Sequence, residues 1–162
     1  MVWILVLVSM LAAGCRMVLG GDMGGGSWDA QLAPSAVFAN RTNSPDLMVY
    51  WNCTRPDSAV IQVEGVAQNT SGDHVRFAQF ELAGVDAGGK QVSGAKASLR
   101  ATILYLDQTS PFSLQAKTAG TEVRFDLHYD YSVHSFGDGG TRSAGGFMVR
   151  DACSPTQHRI RQ

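Results

Sequence analysis

Residues Thr121–Val133 read TEVRFDLHYDYSV. Val123, Phe125, Leu127, Tyr129, Tyr131 and Val133 alternate without a break with Glu122, Arg124, Asp126, His128, Asp130 and Ser132. Successive side chains of a strand point to opposite faces, so this stretch predicts one long strand with an apolar face and a solvated polar one. A face that apolar needs a second layer over it. The sequence beyond the N-terminal region has no apolar i, i+3, i+4 run that outlasts the period-two patterns, so that layer is a second sheet rather than a helix.

The partner strands can be read along the chain. Asp46–Asn52 is apolar or aromatic on both parities, as a central strand covered on both sides would be, and Arg55–Ser58 follows as a turn. Ala59–Asn69 turns Ile61 and Val63 inward, and Gly65 in its middle marks a bulge or a close backbone crossing. In His74–Val85, Val75 and Phe77 share one parity while Phe80 and Leu82 share the other, which predicts a β-bulge near Ala78–Gln79. Asp86–Lys90 is a hairpin turn, and a weaker strand opens at Val92. Ala97–Leu106 carries Leu99, Ala101, Ile103 and Tyr105 on one face, and Pro111–Thr118 is a further short strand. Phe136–Gly146 reads as a glycine-rich loop before a closing strand, Phe147–Arg150. Seven to eight short strands joined by tight turns predict an all-β, antiparallel β-sandwich, with an eight-stranded barrel as the alternative. The 18 glycines and the low charged fraction, 17%, agree with a turn-rich β domain.

Glu64-Gly65-Val66-Ala67-Gln68-Asn69-Thr70 resembles a strand segment of bacterial FxLYD-type domains. Phe80-Glu81-Leu82, with Asp86-Ala87-Gly88-Gly89-Lys90 after it, is similar to the strand and turn that name that family. Ala83 and Gly84 stand where the family has tyrosine and aspartate. The resemblance spans Ala59–Val133 and implies an immunoglobulin-like sandwich on a secreted or lipid-anchored protein. It brings no catalytic residues.

Residues 1–13 are apolar apart from Ser9. That run is shorter than the roughly 17–25 residues of a membrane-spanning helix and matches the apolar core of a signal peptide. Leu11-Ala12-Ala13-Gly14-Cys15 looks like a bacterial lipobox, which would make Cys15 the lipidated N-terminus. A cleaved secretory peptide and an uncleaved anchor are the alternatives. Five glycines fall within residues 20–26, so residues 16–34 read as a flexible tether and 35–162 as the domain. The expected location is therefore the bacterial cell envelope, anchored to the membrane through lipid. With Cys15 lipidated, Cys53 and Cys153 remain as a pair in an oxidising compartment, and a disulfide is expected.

Charge excludes more than it identifies. Thirteen basic and 14 acidic residues give a net charge of −1, which points to no nucleic acid partner. Arg150, His158, Arg159 and Arg161 form a basic, solvated tail. Asp126, His128 and Asp130 lie at i, i+2, i+4 on one strand face, a spacing at which carboxylates and imidazole can ligate a transition metal if a neighbouring strand adds a ligand. Without such help they are a solvated face. No Gly-x-Ser-x-Gly elbow accompanies the four histidines, and no carboxylates pair locally as an acid/base couple. Tyr50, Trp51, Tyr105, Tyr129 and Tyr131 are expected mainly in the core. Asn40, Asn52 and Asn69 begin glycosylation sequons, which matter only in a eukaryotic secretory host. The expectation is thus a non-enzymatic interaction or structural module without cofactor, with a protein partner in the envelope. The alternative is a periplasmic domain that binds a small ligand or metal.

Overall fold

The computed structural model describes residues 33–135, 137 and 139–154. Cys15, the leader, most of the tether and the tail from residue 155 onward lie outside them.

The fold is an immunoglobulin-like β-sandwich. After one helical turn, Pro34–Val37, come β1 (Asn40–Asn43), β2 (Leu47–Asp57), β3 (Val60–Asn69), β4 (His74–Asp86) and β5 (Gln91–Ser98). They are followed by β6 (Ile103–Leu104), β7 (Thr109–Lys117), β8 (Glu122–His134) and β9 (Thr141–Val149). One sheet has the order β1-β2-β3-β7, and the other has the order β5-β4-β8-β9 with β6 also on β4. All pairings are antiparallel. Two separate sheets with free edges make a sandwich, not the closed barrel that the sequence left open.

The stretch 121–133 is β8, and it lies inside its sheet between β4 and β9. Phe125, Leu127, Tyr129, Tyr131 and Val133 are all buried, as their parity requires. Val123 is not: at the strand's start it is 61% exposed. Asp126 departs in the other direction and is buried on the parity expected to be solvated.

Across the sandwich, the ring of Phe80 on β4 stacks on that of Phe112 on β7, with centroids 4.1 Å apart. Such a pair contributes about 0.5–1.5 kcal/mol beyond the area it buries. Gly65 makes room for it. A Cβ there would stand 2.6 Å from the Phe112 ring and collide with the Tyr50 carbonyl oxygen. The expected close crossing is therefore real, and the β2–β3 and β3–β7 ladders run through Gly65 without a bulge. From Phe80 the aromatic row continues along the second sheet through Tyr129 to Phe147.

Several boundaries differ from the sequence reading. β2 runs through Arg55 and Pro56, and the turn comes only at residues 58–59. β9 begins at Thr141 rather than Phe147, because Gly145 and Gly146 form a bulge opposite Asp130 instead of a loop. Gly146 takes φ +76°, which a residue with a side chain adopts only with strain. The strand expected at Ala97–Leu106 is broken: β5 ends at Ser98, and only Ile103–Leu104 pair again.

The sheet edges are each blunted against further pairing. β1 has four residues, β7 contains Pro111, β9 carries the glycine bulge, and Lys96 on β5 projects into solvent beside Glu81.

Candidate functional site

Two surfaces at opposite ends of the sandwich combine exposure with fixed geometry. The first is the bulge in β4. Register passes from Arg76 opposite Ser132 to Gln79 opposite Asp130, so Phe77 and Ala78 together face one residue, Tyr131. Ala78 turns into the core and Phe77 turns out. The bulge was expected one residue later, with Phe77 on the parity of Val75. Phe77 adopts φ +53° and its side chain is 56% exposed. The left-handed conformation costs an L-residue with a Cβ roughly 1–2 kcal/mol. A phenylalanine that is both strained and solvated serves neither backbone nor core, and such outliers cluster at functional positions.

The backbone around Phe77 is held firmly. Its amide donates to the Thr102 carbonyl at 3.1 Å, and the Arg76 guanidinium lies 5.1 Å from its ring centroid. Arg76 Nε is buried with no hydrogen-bond partner among the described residues. Tyr105 and Leu106, expected as strand residues, are 48% and 53% exposed. Tyr105 packs edge-on against His74, with centroids 4.4 Å apart. The segment that presents them is pinned by Asn69, which is wholly buried. Asn69 Nδ2 donates to the carbonyls of Asp73 (2.7 Å) and Leu104 (2.9 Å), and its Oδ1 accepts from the Ser71 amide (2.9 Å). Its backbone amide donates to the Gln108 carbonyl and its own carbonyl accepts from the Asp107 amide. This sequon asparagine is an internal brace with no group left for a glycan. The side-chain amides of Asn40 and Asn52 also donate, to the carbonyls of Trp51 and Val37.

At the same end, Asp46 ties the two sheets together. Its carboxylate is buried and accepts from Arg142 at 2.9 and 3.0 Å, while the Tyr131 hydroxyl lies 3.0 Å from Ser44 Oγ and 3.2 Å from Asp46 Oδ2. Burial pushes the Tyr131 hydroxyl above the usual tyrosine range, so it stays protonated.

The second surface is a cleft of about 290 Å³ at the disulfide end. Cys53 and Cys153 are bonded, as expected, and both residues line it. The turn after β9 crosses to β2 here: the Trp51 indole donates to the Ala152 carbonyl at 2.8 Å, and the Ala152 amide to the Phe125 carbonyl at 2.6 Å. Arg55, Arg124, Val123, Glu122 and Asp151 are also among its lining residues. Burial opposes ionisation of Glu122, but the Ser93 hydroxyl and the Ala119 and Gly120 amides outweigh it and hold its pKa at about 2.

Asp126, His128 and Asp130 do not come together as ligands. Asp126 is held by Arg124 Nε, 3.1 Å from Oδ2, and by the Asp151 amide, 2.9 Å from Oδ1. That pairing removes it from the solvated face where its parity had placed it. His128 and Asp130 line a separate groove of about 210 Å³ with Glu81 and Lys96. The Lys96 ammonium sits 2.9 Å from Glu81, and this hydrogen bond holds the Glu81 carboxyl below its ordinary range. A cation there would meet that ammonium. Among the described residues, no three or more histidine, cysteine or carboxylate side chains are grouped to hold a metal. Of the five aromatics singled out in the sequence, only Tyr105 is exposed.

No protein-family model matches the sequence, and no curated protein matches it. Among solved structures, the GAE domain of GGA2p from Saccharomyces cerevisiae is similar with a TM-score of 0.49 and 15% identity, over 71% of this chain and 97% of that one. The yeast GGA1 GAE domain is similar with a TM-score of 0.46 and 13% identity, over 68% of this chain and 97% of that one. Identity at this level says nothing of partner or activity.

Sequence reasoning missed Phe77, Leu106, Arg55 and Arg124. For Phe77 a signal was present: the phase switch in β4 forces one of its large apolar residues out of the core. For the arginines there was none, because the cleft forms only where the end of β9 crosses to β2.

Proposed function

We propose that this chain is a non-enzymatic β-sandwich, lipid-anchored through Cys15 in a bacterial envelope, that engages a protein partner through Phe77, Tyr105 and Leu106. The observation that carries the reading is Phe77, an exposed aromatic in the left-handed region at a β-bulge. Rigid, partly solvated aromatics lose little conformational entropy on docking, which suits an anchor at a protein interface. The membrane attachment rests on Leu11-Ala12-Ala13-Gly14-Cys15. The test places a photo-crosslinking amino acid at position 77, or at exposed Gln115 on the opposite sheet, and irradiates intact cells. The expected result is one discrete adduct from position 77 and none from 115. No adduct at 77, or equal adducts at both positions, would rule out the interaction. Fatty-acid labelling that survives Cys15→Ala would rule out the anchor.

A further inference from the structure

The cleft at the disulfide end holds two guanidinium groups whose fixed contacts leave their binding edges free. Arg124 is oriented through Nε alone, by buried Asp126, and none of the described residues engages its terminal amino groups. Arg55 lies over the Phe125 ring, 5.5 Å from its centroid, a contact that uses none of its N–H donors in a hydrogen bond. Both line the same concavity, and Val123 supplies an exposed apolar wall beside them.

Two carboxylates also line the cleft, and they differ. The oxygens of Glu122 are occupied by the Ser93 hydroxyl and the Ala119 and Gly120 amides, but its negative charge stays at the cleft. Asp151 makes its contacts through its backbone, so its side chain adds one negative charge to the rim. With Arg124 already paired to Asp126, these two charges disfavour a dianion, whereas the open edges of the two guanidinium groups offer planar, bidentate recognition of a single carboxylate. We propose that this cleft binds a small monocarboxylic acid, its carboxylate between Arg55 and Arg124 and its short apolar body on Val123. The site is independent of Phe77 and lies at the other end of the sandwich.

The test is a titration of the full-length protein in detergent micelles, read by NMR at the arginine side chains and at the Val123 amide. The probes are N-acetyl-leucine, N-acetyl-leucinamide and inorganic phosphate. N-acetyl-leucine should give saturable shifts at Arg55, Arg124 and Val123, and the other two probes should not. Arg55→Gln loses only the contact with the Phe125 ring, so it should lower the melting temperature by no more than a few degrees while weakening N-acetyl-leucine roughly tenfold, the loss of one charge-assisted contact. No saturation by N-acetyl-leucine, equal binding of the amide or of phosphate, or unchanged binding by Arg55→Gln would each overturn the assignment.

Discussion

At position 77, stability and exposure pull in different directions. Replacing a large apolar side chain usually costs a domain stability, but Phe77 is mostly solvated and its backbone is strained. Asparagine tolerates the left-handed region far better, so Phe77→Asn should leave stability unchanged or raise it by up to about 1 kcal/mol. Urea denaturation that shows a loss above about 2 kcal/mol would mean that Phe77 is a packing residue after all. Asn69 is the opposite case. It is wholly buried with each side-chain polar atom engaged, and Asn69→Ala strands carbonyls of two segments. A loss of about 2–3 kcal/mol is expected in the same assay. Glu122 sets an acid limit. In the folded chain it stays ionised down to about pH 2, whereas the unfolded chain protonates it near its ordinary value of 4.5. Its contribution is therefore complete above pH 4.5 and is lost as pH falls toward 2. Thermal melts should show a smaller drop over that window for Glu122→Gln than for the native chain.

At the scale of strands, alternation identified β8 and its buried face, because one residue out of phase would reverse every side chain. It failed at two positions in the strand's first half for local reasons. Val123 is the extra, unpaired residue at the register shift between Val85 and Asp86, and Asp126 is drawn in by Arg124 and the turn after β9. The bulge in β4 was visible as a phase switch, but which residue turns outward depends on the Thr102 and Leu99 backbone groups that meet Phe77 and Ala78. Those contacts also break the strand expected at Ala97–Leu106. Gly65 was legible as a bulge or a close crossing, and the Phe112 ring against it decides for the crossing. Its substitution tests that reading: Gly65→Ala drives a methyl group against the Tyr50 carbonyl and the Phe112 ring, and should cost roughly 2–3 kcal/mol.

For the whole molecule, the disulfide joins the end of β2 to the turn after β9 and closes a loop of 100 residues. Reduction, or Cys53→Ala with Cys153→Ala, should lower stability by roughly 2–5 kcal/mol, and without reductant neither cysteine should take up an alkylating label. The pairing was legible because two cysteines remained once Cys15 was assigned to lipid. The binding surfaces were not, since each is assembled from segments far apart in the chain: β4 with the turn after β6, and β2 with β8 and the turn after β9.

Crosslinking and folding measured on the same variant address the claimed docking role of Phe77 most directly. With the photo-crosslinker at position 105 and Phe77→Asn alongside it, the adduct seen with native Phe77 should disappear while the melting temperature stays the same or rises. An adduct that persists, or one lost together with the fold, would contradict the account.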